Sequence, residues 1–157
     1  RFRGLGDGYK SQTMTATLYG AEVSYFTGKV RAYLRWANIP FEEVLSTADV
    51  YRQVIVPAVG APVIPVLRAE DGQMLQDSTV IIEALEQARK DDGPALHPVT
   101  PLRKLVALML EAYGDEWLVI PAMHYRWFYD REWAMAEFGA MNAPGESAEN
   151  QYAIGQK

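Results

Sequence analysis

The sequence predicts an α/β fold in two unequal parts: a strand–helix–strand–helix–strand–strand–helix unit (βαβαββα), then an all-α segment. Three observations carry this. Runs rich in β-formers occur only in the first half of the 157 residues. Apolar stripes at helical spacing separate them. A proline-rich stretch, with Pro at 94, 98 and 101, divides this half from one without strand signals.

Each element has its own reason. Thr15–Gly20 alternates and carries Thr, Leu and Tyr, so it reads as a strand. After a turn over Gly20–Val23, the residues Phe26, Val30, Tyr33, Leu34 and Ala37 recur at helical spacing, and Ser24 or Thr27 can cap the helix start. Lys29, Arg31 and Arg35 fall largely on the other side, as a solvated face that attracts anions. Asn38-Ile39-Pro40 stops the helix. Phe41–Leu45 is a second strand, and Asp49–Val56 a short, weaker helix. Pro62 and Pro65 cannot donate ladder hydrogen bonds, so the next strand begins at about Pro65. Asp71-Gly72 is a hairpin turn that returns Met74–Gln76 antiparallel. Asp77 and Ser78 cap a helix whose apolar stripe is Ile81, Ala84, Leu85 and Ala88, ending near Arg89. The first two strands form a parallel pair through their crossover helix.

The domain divisions follow: a flexible tail over 1–13, an α/β domain over 14–89, a linker over 90–100 and a helical domain over 101–157. Thr100 and Pro101 start a long helix that runs to about Tyr129 with a kink or break near Pro121. Glu132–Met141 is another helix, and Ser147 caps a last one that shows no end before Lys157. The chain is therefore expected to be a fragment.

Composition narrows the chemistry. Charged residues make up 22% and hydrophobic residues 49%, which excludes a disordered or fibrous chain. A net charge of −5 gives no basic face for nucleic acid. No apolar run reaches the roughly 20 residues of a membrane span. With zero Cys, any reactive thiol must arrive on a ligand, and the composition is compatible with a reducing cytosol. Two distant His and no Cys make no metal site. Gly4, Gly6 and Gly8 alternate, but no strand precedes them, so they are not read as a phosphate loop.

Three local features point to a site. Ser24 follows a strand at a helix start, where free N–H groups and the dipole favour anions. Ile64-Pro65 is an X-Pro bond at a strand entrance, where a cis peptide is plausible. Asp77-Ser78 opens another helix, with Ser78 suited to a carboxylate and Asp77 to an amino group. Taken alone, each serine reads first as a helix cap, and only together do they favour a site.

Together these segments resemble the glutathione S-transferase family. The resemblance lies in Ser24–Leu34 (SYFTGKVRAYL), Asn38–Glu42 (NIPFE), Val63–Leu67 (VIPVL) and Leu75–Ile81 (LQDSTVI), and covers about residues 15–89. It implies a thioredoxin-like N-terminal domain that binds glutathione as co-substrate, followed by the beginning of an all-α C-terminal domain, incomplete here, that builds the acceptor pocket. It implies that Ser24 hydrogen-bonds the glutathione sulfur, with Tyr25 and then Tyr19 as competitors. Ile64, before a cis Pro65, would pair its backbone with the cysteinyl part, and Asp77 and Ser78 would grip the γ-glutamyl end; the family more often has Glu or Gln where Asp77 stands. Gln53 or Arg52 would meet the glycine carboxylate. The implied activity is transfer of glutathione to a small hydrophobic electrophile, by a cytoplasmic homodimer serving detoxification, without a metal. A non-catalytic glutathione- or partner-binding module, or a glutathione-dependent isomerase or peroxidase, shares these residues. His97 reads as a surface residue of the linker. The aromatic patch around His124, with Trp117, Phe128 and Trp133, reads either as an acceptor wall or as packing.

Overall fold

The computed structural model describes residues 15–89 and 95–156. The expected tail and part of the linker lie outside the described residues. Four strands, β1 (Ala16–Gly20), β2 (Phe41–Leu45), β3 (Val66–Arg68) and β4 (Met74–Gln76), form one sheet in the order β2-β1-β3-β4. β1 and β2 are parallel, and β1–β3 and β3–β4 antiparallel. This is the thioredoxin-like arrangement, followed by a helical region.

Strand alternation sends Leu18 and its partner Leu67 to one face of the sheet. There they pack with Val30 and Leu34 of α1 (Tyr25–Trp36) and Ile81 and Ile82 of α4 (Ser78–Ala88). Tyr19 and its partner Val66 face the other way and pack on Ile55. Leu18, Leu34, Leu67 and Ile81 are fully buried, and truncating any of them to Ala would cost about 2–5 kcal/mol.

The helix over that second face is longer than Asp49–Val56. It runs as α2 (Ala48–Val50), a π-helical segment (Tyr51–Ile55) and α3 (Val56–Val59), and Gly60 closes it at φ +80°. Pro57 explains the wide turn: it has no N–H and its ring crowds the carbonyl four residues back, so the ladder opens to the bond from Val56 N–H to Tyr51 O.

The basic residues of α1 correct a second expectation. Arg31 is buried, held bidentately by Glu43 at 2.6 and 2.7 Å and by Glu22 at 2.8 Å. Lys29 is enclosed among carboxylates, described below. Arg35 alone of the three is exposed.

The long helix breaks near Pro121, at Trp117 and Leu118. α5 (Pro101–Glu116) ends, Trp117 and Leu118 turn, and α6 (Val119–Phe128) takes Pro121 into its first turn, where a missing N–H costs little. α7 (Arg131–Asn142) and α8 (Ala148–Gly155) form a tight pair, and Ser147 caps α8 by accepting from Asn150 N–H at 3.3 Å. α8 ends at Gly155, short of the open end expected of it. α7 packs Ala134, Phe138 and Met141 on Ala21, Val23, Tyr51 and Ile64. No helix among the described residues is long and apolar enough to cross a membrane.

Candidate functional site

The sheet register gathers three predicted segments at one edge. Gly20 ends β1, Val66 begins β3 and Gln76 ends β4; Tyr19 pairs with Val66, and Val66 with Gln76. The loop to Ser24, the Ile64-Pro65 bond and Asp77-Ser78 therefore stand side by side in that order. They lie at the same end of the sheet because β1 and β4 both run towards it while β3 runs away.

Ser24 is the N-cap of α1, half-buried, with its Oγ accepting from Thr27 N–H at 3.2 Å. A serine hydroxyl has one hydrogen and two lone pairs, so this cap leaves the hydrogen to donate elsewhere. Gly20 is needed just upstream: a Cβ there would lie 2.2 Å from Thr27 Cγ2. Ile64-Pro65 is cis, with Pro65 buried and Ile64 packed on Ala21 and Val23, the residues leading to Ser24. Ser78 is buried at the first position of α4. Asp77 caps that helix at φ +79°, its Oδ1 accepting from Thr79 N–H at 2.9 Å and Val80 N–H at 3.2 Å.

The other candidates stand apart. Tyr19 is buried beneath the π-helical segment, with Arg68 over its ring at 6.0 Å. The Tyr25 hydroxyl donates to the Gly114 carbonyl of α5 at 3.0 Å. Arg52 is exposed and paired with Asp49 at 2.6 Å, and Gln53 is exposed beside it. His97 is not a free surface residue: it pairs with Glu83 at 2.5 Å. Trp117, Phe128 and Trp133 are exposed, with His124 stacked on Phe128.

Two residues near the edge escaped sequence reasoning. Tyr51 packs against Ala21, Val23 and Ile64, and burial pushes its phenol pKa up, so it stays a hydrogen-bond donor. Phe138 packs on the same cluster and stacks on Trp127 at 5.5 Å. The signal for both is tertiary, since neither stands in a local motif. A cleft of about 450 Å³ between α1, α4 and α5, lined by Lys29, Trp36, Ile82, His97 and Glu111, contains none of Ser24, Ile64, Pro65, Asp77 and Ser78. Among the described residues there is no group of three or more His, Cys, Asp or Glu placed to hold a metal ion.

A family model described as "Glutathione S-transferase, N-terminal domain" matches residues 18–95. The chain belongs to the glutathione S-transferase family. Solved structures of glutathione S-transferases share the fold over most of its length. One from Methylobacillus flagellatus with glutathione bound is 22% identical, with TM-score 0.57 over 90% of this chain and 66% of that one. A Tau class enzyme from mango is 22% identical, with TM-score 0.58 over 92% of this chain and 58% of that one. The β-etherase LigF from Sphingobium is 21% identical, with TM-score 0.62 over 91% of this chain and 63% of that one. At these identities the likeness shows the fold alone, and the glutathione S-transferase chain described here spans less than two thirds of each neighbour's length. No curated protein sequence matches it.

Proposed function

We propose that the sheet edge binds glutathione and that the protein activates its thiol for attack on a small hydrophobic electrophile. The observation that carries this is the ordered row Ser24, cis Ile64-Pro65, Asp77-Ser78. Neighbouring strands lie about 4.8 Å apart, so β1 and β4, with β3 between them, hold their ends roughly 10 Å apart. The extended γ-glutamyl residue and the cysteine with its side chain together cover about that distance. A tripeptide laid along the edge thus reaches from Ser78 and Asp77, at its γ-glutamyl end, past the Ile64 backbone to Ser24 at the sulfur, with its glycine beyond. Gln53, exposed on the π-helical segment, is the candidate for the glycine carboxylate.

The chemistry follows from Ser24. A free thiol of pKa about 8.5 is a few per cent thiolate at neutral pH. The Ser24 O–H donates to the sulfur, and the α1 N-terminus adds its dipole. Each unit by which the thiol pKa falls requires about 1.4 kcal/mol, within reach of one charge-assisted hydrogen bond. The thiol proton leaves to solvent, the sulfur forms a bond to the electrophilic carbon, and the leaving group departs with its electron pair. Tyr25, its hydroxyl committed to Gly114, is the lesser candidate for the sulfur contact. Phe138 and Trp127 supply aromatic surface beside Val23 and Ile64 for the electrophile. We infer a cytoplasmic homodimer serving detoxification from family membership.

The test is direct. The chain should be retained on immobilised glutathione and conjugate it to an aryl halide, and Ser24→Ala should lower kcat by about 10²-fold while raising KM for glutathione only slightly. A Ser24→Ala protein with full turnover, alongside an inactive Tyr25→Phe, would move the thiol contact to Tyr25. Binding without turnover across a panel of electrophiles would leave a glutathione-binding module.

A further inference from the structure

Each serine at the sheet edge is followed by a residue that reaches away to α5. After Ser24 comes Tyr25, which donates to Gly114 O at 3.0 Å. After Ser78 comes Thr79, whose hydroxyl donates to Glu111 Oε1 at 2.9 Å. Lys29, one turn into α1, joins the two: its Nζ donates to Thr79 Oγ1 at 3.1 Å, Glu111 Oε1 at 2.8 Å and Asp115 Oδ2 at 2.6 Å. An ammonium has three hydrogens, and here each has an acceptor. Glu111, Gly114 and Asp115 are three and four apart, so one face of α5 receives both helix starts. Lys29 and its two carboxylates are only about a fifth to a quarter exposed, which limits screening by solvent.

We propose that Lys29, Thr79 and Glu111 are positioning residues that fix the spacing between Ser24 and Ser78, so that one extended γ-glutamyl peptide meets both at once. This rests on the reading of the sheet edge as the glutathione site. Val30 and Leu34 pack with Ile81 and Ile82 in the core. Tyr25 and Thr79, in the first turns themselves, are tied to α5 instead, and Lys29 binds both Thr79 and α5. A ligand that bridges two helix starts gains affinity when their separation is set before it arrives, because it need not order them. Lys29, saturated by protein acceptors, does this by holding α5 and not by attracting the anionic peptide.

The experiment uses the full chain and calorimetric titration with glutathione. Thr79→Val and Lys29→Met should each weaken Kd by about tenfold, the size of one charge-assisted hydrogen bond. The double variant should be little weaker than either single one, since both break the same unit. Lys29→Arg should recover most of the affinity. The ultraviolet titration of the thiolate at saturating glutathione should stay unmoved, because Ser24 sets it; general damage to the fold would shift both readouts. If Lys29→Met fails to fold, Thr79→Val, which keeps the shape and removes one hydroxyl, carries the test. Wild type that binds with variants of equal Kd overturns the positioning role alone. Wild type that binds no glutathione overturns this role and the site reading together.

Discussion

Thr27 is fully buried in the first turn of α1, and its hydroxyl has no hydrogen-bond partner among the described residues. Its methyl faces Gly20, while its backbone N–H serves the Ser24 cap. The backbone bond does not depend on the side chain, so Thr27→Val keeps the cap and the β-branched shape. It removes a desolvated hydroxyl whose burial costs about 1–3 kcal/mol when unsatisfied. The variant should be more stable by roughly 1 kcal/mol, a rise in Tm of about 2–4 °C for a chain of this size. A lowered Tm in a thermal melt would mean that the hydroxyl has a partner. At this scale the sequence was readable where a residue acts through its own backbone. Ser24 and Asp77 cap the helices that their types and positions suggest. It was unreadable where a partner lies far along the chain: Lys29 and Arg31 look solvated on a helical wheel, yet their carboxylates come from α5 and β2.

Among the elements, the α7–α8 pair depends on two glycines that no motif announces. A Cβ on Gly139 would lie 1.8 Å from the Gln151 carbonyl oxygen, and one on Gly155 would lie 1.9 Å from that of Met135. Gly139→Ala must push the helices apart at their backbones. α8 has no buried residue, whereas α7 buries Ala134 and Met135, so α8 should be the element released. The expected cost is about 1–3 kcal/mol for overpacking. Amide exchange should speed up over 148–155 while β1, β3 and α1 keep their protection, and unchanged exchange in α8 would refute the interlock. Periodicity placed the strands and longer helices within a residue or two, because each carries its own apolar stripe. It could not foresee the π-helical turn, which arises from Pro57 acting back on the preceding ladder.

At the scale of the molecule, α7 meets the α/β part through apolar packing, whereas Leu96 and α5 meet it through carboxylates that must be ionised. Glu86 accepts from Leu96 N–H at 2.7 Å, beyond the α/β domain, and from Tyr33 at 2.6 Å. Glu111 joins α5 to Lys29 and Thr79. Burial alone would raise the pKa of each. Hydrogen bonds from Tyr33, Leu96 and Arg89 to Glu86, and from Lys29 and Thr79 to Glu111, outweigh it and hold both below the usual 4.5. For Lys29, burial lowers the pKa, but Asp115 and Glu111 overcome it and raise the value above 10.5. The signs fix the window. A lowered carboxylate pKa gives stability that is complete above the unfolded value of 4.5 and lost as pH falls through the folded one. A raised lysine pKa gives stability complete below 10.5 and lost as pH rises past the folded value. These ionic contacts are therefore intact from about pH 5 to 10. The α/β core rests on Leu18, Leu34, Leu67 and Ile81, which do not titrate. On acidification below pH 4.5, amide protection in the first turns of α1 and α4 and in α5 should fall before that of β1 and β3. Trp36, beside the cleft between α1, α4 and α5, reports the same opening by its fluorescence. A single transition, in which sheet and α5 lose protection together, would show that α5 is held by apolar packing and not by these charges.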